Sequence, residues 1–168
     1  MAYVLTKATI YLGKNLFGTA SKIVAPEIDA ETTEQKNGFG AYNLPIGIKA
    51  MTSSITLTGF DVDVFNKISN PLAEINMTIY ASLDEFNNET LSNSKPVKLV
   101  MRGSSQKFSL LGELEQQKNI EYPVDFNISA AKLFINNQEK YNIDIPNLIW
   151  KVNGVDLMAK VKKNLALS

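Results

Sequence analysis

The chain runs to 168 residues, 45% hydrophobic and 20% charged, with 17 acidic side chains balanced by 17 basic ones. This length implies a single domain able to bury roughly two-thirds of its unfolded surface, and charge neutrality argues against a dedicated nucleic-acid binder, which carries a basic excess or stripe. Cysteine and histidine are both absent, which removes disulfides, thiolate nucleophiles, the commonest general base and the commonest metal ligand together.

The opening segment, MAYVLTKATIYLGKN, shows no basic leader followed by a long apolar core. No run approaches the roughly 18 consecutive apolar residues of a membrane span, so a soluble protein with no membrane partner is expected, kept inside a cell until something releases it. Thr6 to Leu12 alternates, with Ala8, Ile10 and Leu12 on one face. Gly13-Lys14-Asn15 reads as a turn and Leu16 to Ala25 as the return strand, ended by Pro26. Residues 27–49 are rich in Glu, Gln, Asn and Gly and read as a long loop. A loop of that length in a compact domain is uncommon and usually functional. Its tip carries Phe39, Tyr42, Leu44, Ile46 and Ile48, and an apolar loop needs a partner, its own core or another subunit.

Met51 to Thr58 is the cleanest strand, with Ser53, Ile55 and Leu57 on one face and Thr52, Ser54, Thr56 and Thr58 on the other. Asp61 or Asp63 can cap a short helix running through Ser69, with Val64, Phe65 and Ile68 on its buried side, and Asn70-Pro71 stops it. Further strands are expected at Ile75–Ser82, Val97–Gly103, Lys107–Leu111, Val124–Asn136, Tyr141–Ile145 and Leu148–Val152. The polar segments 84–96 and 112–123 between them read as exposed loops. Pro146 cannot donate to a ladder and ends its strand, and Asn153-Gly154 is a tight-turn pair. Asp156 stands at an N-cap position for a terminal amphipathic helix over 156–165, with Leu157, Met158, Val161 and Leu165 at helical spacing and lysines in the closing turns. The expected class is mainly β, an antiparallel β-sandwich or partly open barrel with two short helices, one plugging a side. Strand–helix–strand alternation is missing, which argues against a doubly wound fold.

The chemistry-bearing patterns are weak. Acid–base catalysis needs one carboxylate in an apolar pocket, whereas Asp61/Asp63, Asp84/Glu85 and Glu113/Glu115 fall at a helix start and in polar loops. Ser104-Ser105 has no histidine to serve as its base, and P-loop spacing is absent. Gly38-Phe39-Gly40 neither follows a strand nor opens a helix and reads as backbone freedom in the long loop. A carboxylate-only calcium site at a loop stays open, without EF-hand spacing. Only Arg102 among the 17 cations is arginine, the residue expected at bidentate phosphate or base contacts. No catalytic residue, metal ligand or cofactor is assigned. Neutrality also weakens electrostatic resistance to self-association, which suits a chain built to assemble.

Several segments resemble the major tail tube proteins of contractile-tailed bacteriophages, a family also found in phage-tail-like bacteriocins. They are ATIYLGKNLFGTASKIVAPEI near the amino end, NGFGAYNLPIGIKAM, Val100-Met101-Arg102-Gly103, and IDIPNLIWKVNGVD near the carboxyl end. The resemblance implies hexameric rings stacked into a hollow tube inside a contractile sheath, with strands joining between subunits into a ring-shaped barrel. The implied partners are further copies of the chain, the sheath protein, baseplate and terminator proteins, and a tape-measure protein and then DNA passing through the lumen without specific binding. The implied location is the virion, assembled in the bacterial host cytoplasm. Residues 27–49 then become the inter-subunit loop for ring stacking, with Phe39, Tyr42, Leu44 and Ile46 as apolar anchors and Gly38 and Gly40 as hinges. A DNA conduit should avoid binding DNA, so the neutral hydroxyl face of Thr52, Ser54, Thr56 and Thr58 is a candidate lumen lining; the same face could simply meet outside water. Trp150 reads as core or subunit-interface packing.

Rival readings differ in class. A headless bacteriocin or another contractile injection system would share the architecture. A ligand-binding β-sandwich would instead stay monomeric and show a concave aromatic patch. An enzyme is not expected from a chain without histidine, cysteine or a poised site.

Overall fold

The computed structural model describes residues 2–13, 15–18, 20–59, 62–111, 114–118 and 120–166. The first half comprises β1 (Ala2–Leu12), β2 (Asn15–Gly18), β3 (Ala20–Val24), β4 (Ala30–Lys36), β5 (Ala41–Ile48), β6 (Met51–Thr58) and helix α1 (Val62–Ile68). The second comprises β7 (Ile75–Asn87), β8 (Thr90–Phe108), β9 (Glu121–Ile135), β10 (Gln138–Asp144), β11 (Ile149–Val152), β12 (Val155–Asp156) and helix α2 (Ala159–Asn164). The protein is mainly β, antiparallel throughout, with two short helices.

A single sheet runs β2-β1-β7-β8-β9-β10-β11-β12, and β6 with β3 attach to the same long strand β9. The strand β9 serves two neighbours along one edge, since Glu121–Ile128 pair with β6 and Ala130–Ile135 with β10. The expected return strand 16–25 is in fact two pieces. β2 pairs with β1 at one end of the sheet and β3 pairs with β6 at the other. Two strands so close in sequence pull the two ends of the sheet together, and the sheet curls towards a partly open barrel.

The core follows the alternation read from β6, where Met51, Ser53, Ile55 and Leu57 are buried while Thr52 and Thr58 are exposed. Ile10, Met77, Met101, Val124 and Phe126 face them from β1, β7, β8 and β9. α1 closes one side by burying Val64 and Ile68, and Phe65 meets Phe108 edge-on with centroids 6.1 Å apart. The Ser105 hydroxyl donates to the Ile68 carbonyl at 2.6 Å, supplying the orphan acceptor at the helix end from the sheet below. Asp61, one of the two expected caps, lies outside the described residues, as do Lys14 of the first turn and Glu113 of the third carboxylate pair.

Between Arg102↔Ala130 and Gly103↔Ile128 the β8–β9 register slips, leaving Ser129 unpaired on β9. The buried positions of β9 change there from even (Tyr122, Val124, Phe126, Ile128) to odd (Ala131), as a one-residue bulge requires. The Ser129 carbonyl accepts the Ile145 N–H at 3.1 Å, and its hydroxyl donates to the Arg102 carbonyl at 3.2 Å. Gly103 is obligatory at this point, because a Cβ on it would sit 1.8 Å from the Asn127 carbonyl oxygen. Next to it the Arg102 guanidinium donates to Asp144 at 2.9 Å, and Asn147 donates to the other carboxylate oxygen at 2.8 Å. This ties the 145–148 turn to the sheet.

Several expected loops and ends differ. Residues 121–123, expected in an exposed loop, begin β9 with Tyr122 buried, and Lys107–Leu111 is no separate strand because β8 runs on to Phe108. Residues 27–49 are a β-hairpin, β4–β5. Residues 84–96 are the far end of the β7–β8 hairpin, with Asn88 in the left-handed region at its turn. Pro96 is tolerated there because its carbonyl, which accepts from Asn136, points to the side where β9 has already ended, so no ladder donor is missing. At the carboxyl end β12 takes Val155 and Asp156, and the helix starts later than expected. Asp156 accepts the Met158 N–H at 3.0 Å, but Met158 occupies the cap position. The Asn153-Gly154 turn is as expected, with φ of 50° and 83°.

Candidate assembly interface

Strands β4 and β5 pair with each other, and neither joins the main sheet. The Asn37 N–H donates to the Gly40 carbonyl at 2.9 Å, and the Asn37 side-chain oxygen accepts the N–H groups of Phe39 and Gly40 at 2.9 and 3.0 Å. That clasp fixes the tip and leaves Phe39 wholly exposed, at 102%. Gly38 and Gly40 have no left-handed φ, and a Cβ added to either would meet no heavy atom within 4 Å. The turn is therefore held by Asn37, and alanine fits at either glycine.

Residues directly opposite share a face of a strand pair. Tyr42 and Leu44 lie with Gln35 and Thr33 on one face, while Lys36, Glu34 and Asn43 lie on the other. The hairpin is thus amphipathic, yet Tyr42, Leu44 and Ile46 are all exposed. Ile46 is the extra residue where the β4–β5 register slips, and it sits at the hairpin's root rather than its tip. A two-stranded hairpin alone is marginal in water. At its base the Lys49 N–H donates to the Asp29 carbonyl at 2.9 Å, and the two side chains form an exposed ion pair at 3.5 Å.

The four hydroxyl residues of β6 do share the outward face. Across the ladder they meet Asn127, Asp125, Pro123 and Glu121 on β9, and Lys22 and Val24 on β3. Lys107 on β8 lies opposite Asp125. Two carboxylates and two ammonium groups leave this face without net charge. Further along the sheet the outward row differs, because Lys132 and Lys151 flank the buried Asn142.

Beyond Ile10–Leu12, where β2 pairs, no described strand pairs with the outer edge of β1, and Tyr3, Val4 and Leu5 are exposed along it. Such an edge is a template for another chain. The adjoining end of β7–β8 is firmly built. Asp84 accepts the hydroxyls of Ser82 and Ser94 at 2.7 and 2.6 Å, and the Lys95 ammonium lies 6.0 Å from the centre of the Tyr3 ring. Glu85, expected in solvent, is buried. Sequence reading missed this arm because its apolar residues are sparse. It also missed the Arg102–Asp144 pair, whose only trace was an acid between Ile143 and Ile145. Among described residues no three metal-ligating side chains converge. Burial raises the Tyr122 phenol above its ordinary pKa of 10.0, and its hydroxyl donates to the Ser109 carbonyl.

An amphipathic hairpin with exposed apolar residues, outside the main sheet, and an edge of β1 that no described strand pairs with are surfaces suited to assembly. The family model for phage tail tube protein FII matches residues 3–165. The chain belongs to that family. It is a structural tail tube protein and a component of the phage tail, hence of the virion. It is similar to the tail tube protein of Escherichia phage P2, at 22% identity over 159 residues covering 92% of this chain and 91% of the relative. Among solved structures it is similar in fold to the cap that terminates the tube of the anti-feeding prophage, with a TM-score of 0.58 and 12% identity over 80% of this chain and 93% of the other. It is also similar to a chain of the sheath–tube complex of the extracellular contractile injection system PVC, with a TM-score of 0.55 and 11% identity over 77% and 87%. These neighbours share the fold with little sequence in common.

Proposed function

We propose that copies of this tail tube protein close into hexameric rings that stack into the hollow inner tube of a contractile tail, through which DNA leaves. The observation that carries this reading is an outer edge of β1 that no described strand pairs with, together with a hairpin that has no place in the main sheet. Pairing such edges around a ring removes them, and a contact between unlike surfaces closes by rotation within the ring and repeats along the axis. Phe39, Tyr42, Leu44 and Ile46 serve stacking. Thr52, Ser54, Thr56 and Thr58 line the lumen, where a face without net charge lets DNA pass without holding it. The sheath protein lies outside; terminator and baseplate proteins cap the ends, and a tape-measure protein precedes DNA in the lumen. The role is structural and not enzymatic.

Negative-stain electron microscopy of the concentrated chain, with light scattering alongside, tests this. Hollow tubes or six-membered rings are expected, and Phe39→Asp should leave a folded subunit that grows no tubes. A monomer that neither concentration nor a baseplate seed recruits would overturn the reading.

A further inference from the structure

The root of the β4–β5 hairpin meets the 145–148 turn, β11 and the start of α2 around an apolar cleft of about 420 Å³. Pro45 and Ile46 line one side, and Ile145, Leu148, Trp150 and Met158 the other. The walls are held in place. The Trp150 indole N–H donates to the Tyr141 hydroxyl at 2.7 Å, and the Asp144 carboxylate at the rim is occupied by Arg102 and Asn147. Leu148 adopts a φ of 54°, a conformation costly for a bulky side chain, and it lines the cleft with an apolar group all the same. An apolar cavity of about 150 Å³ already accommodates a benzene ring, so this one takes a phenyl group with room to spare.

The one wholly exposed aromatic ring at a fixed position among the described residues is Phe39, clasped at the far end of the same hairpin. Phe39 and Ile46 are joined by extended strand, which at about 3.3 Å per residue sets them roughly 20 Å apart. The ring therefore cannot fill its own chain's cleft, but it can fill that of a second copy. A knob and a hole displaced from each other on one chain let one copy engage the next head to tail, a contact that repeats along an axis. Resting on the tube reading above, we propose that Phe39 of one copy seats in the cleft between Ile46, Leu148 and Trp150 of a copy in the next ring, and that this contact is the joint between rings.

The test replaces Phe39 by a benzophenone-bearing phenylalanine analogue, which keeps an aromatic knob, and irradiates assembled tubes. Cross-linked peptides spanning 45–48 or 143–158 of a second copy are expected, and tubes whose cross-links map elsewhere overturn the joint while leaving the tube itself standing. If the analogue blocks assembly, Leu148→Arg decides, with its fold checked by circular dichroism. Filling the cleft should raise the concentration needed for tube growth by roughly a hundredfold, the equivalent of losing one buried aromatic anchor, and leave rings. Tubes of ordinary length from a folded Leu148→Arg chain sink the proposal. Failure of the unsubstituted chain to form tubes under any seed overturns the tube reading as well.

Discussion

Gly103→Ala places a methyl group where the β8–β9 bulge leaves no room. The new Cβ would stand 1.8 Å from the Asn127 carbonyl oxygen, 2.8 Å from its carbon and 3.0 Å from the Ile128 Cα, and all three are backbone atoms that no rotamer change can move. The strands must part by more than about 1 Å, enough to lengthen ladder bonds near 2.9 Å past useful range. Two lost bonds at ~1 kcal/mol each, with overpacking of ~1–3 kcal/mol, give a destabilisation of about 3–5 kcal/mol. For a domain of this size each kcal/mol lowers Tm by roughly 2–4 °C, so the expected fall is about 6–20 °C. Differential scanning calorimetry on dilute, unassembled chain measures it. Gly40→Ala is the control, since nothing lies within 4 Å of its added methyl, and a change within about 1 kcal/mol is expected. A Gly103→Ala chain melting with the unsubstituted protein would show that the bulge is not held by this close approach.

Other changes read out different parts of the structure. Arg102→Ala strands Asp144, whose side chain is only 13% exposed, and should cost about 1–3 kcal/mol in urea unfolding, with Arg102→Ala/Asp144→Asn recovering part of it. Tyr122 ionises later in the folded chain than in the unfolded one because it is buried. Its contribution is thus intact below pH ~10 and falls as pH rises towards the folded pKa; absorbance at alkaline pH follows the titration, and Tyr122→Phe should abolish that pH dependence. Ser54→Lys on the proposed lumen face should yield tubes that retain DNA at low salt and release it as salt rises. Retention equal to that of unsubstituted tubes would place the β6 face elsewhere.

Legibility in the sequence tracked burial. β6 was clear because one face is buried and one is not, which imposes a period of two. α1 was clear because Val64, Phe65 and Ile68 fall on one side of a helix that the sheet covers. β4 and β5 read as loop because β4 is polar after Ala30 and exposed at all but Thr33, and because Pro45 and Gly47 stand within the alternation of Tyr42, Leu44, Ile46 and Ile48 on β5. The far end of β7–β8 escaped because its apolar residues are sparse: its buried position on β7 is filled by Glu85, and the Ser82–Asp84–Ser94 hydrogen bonds support its pairing. The apolar residues of 27–49 were visible, but their division between the tip and the root of the hairpin was not.

Local chemistry by itself determined the class of fold, the Asn153-Gly154 turn, the neutral face of β6 and the lack of histidine and cysteine chemistry, since each depends on residue type and short-range spacing. Tertiary structure alone decided which edge each strand joins, how β2 and β3 divide between two ends of the sheet, and where Gly103 must yield to Asn127. It alone placed the cleft at the root of the hairpin whose tip carries Phe39. These depend on contacts between residues far apart in the chain, and pairing energies per residue are too alike for sequence to choose among them until the whole core has closed.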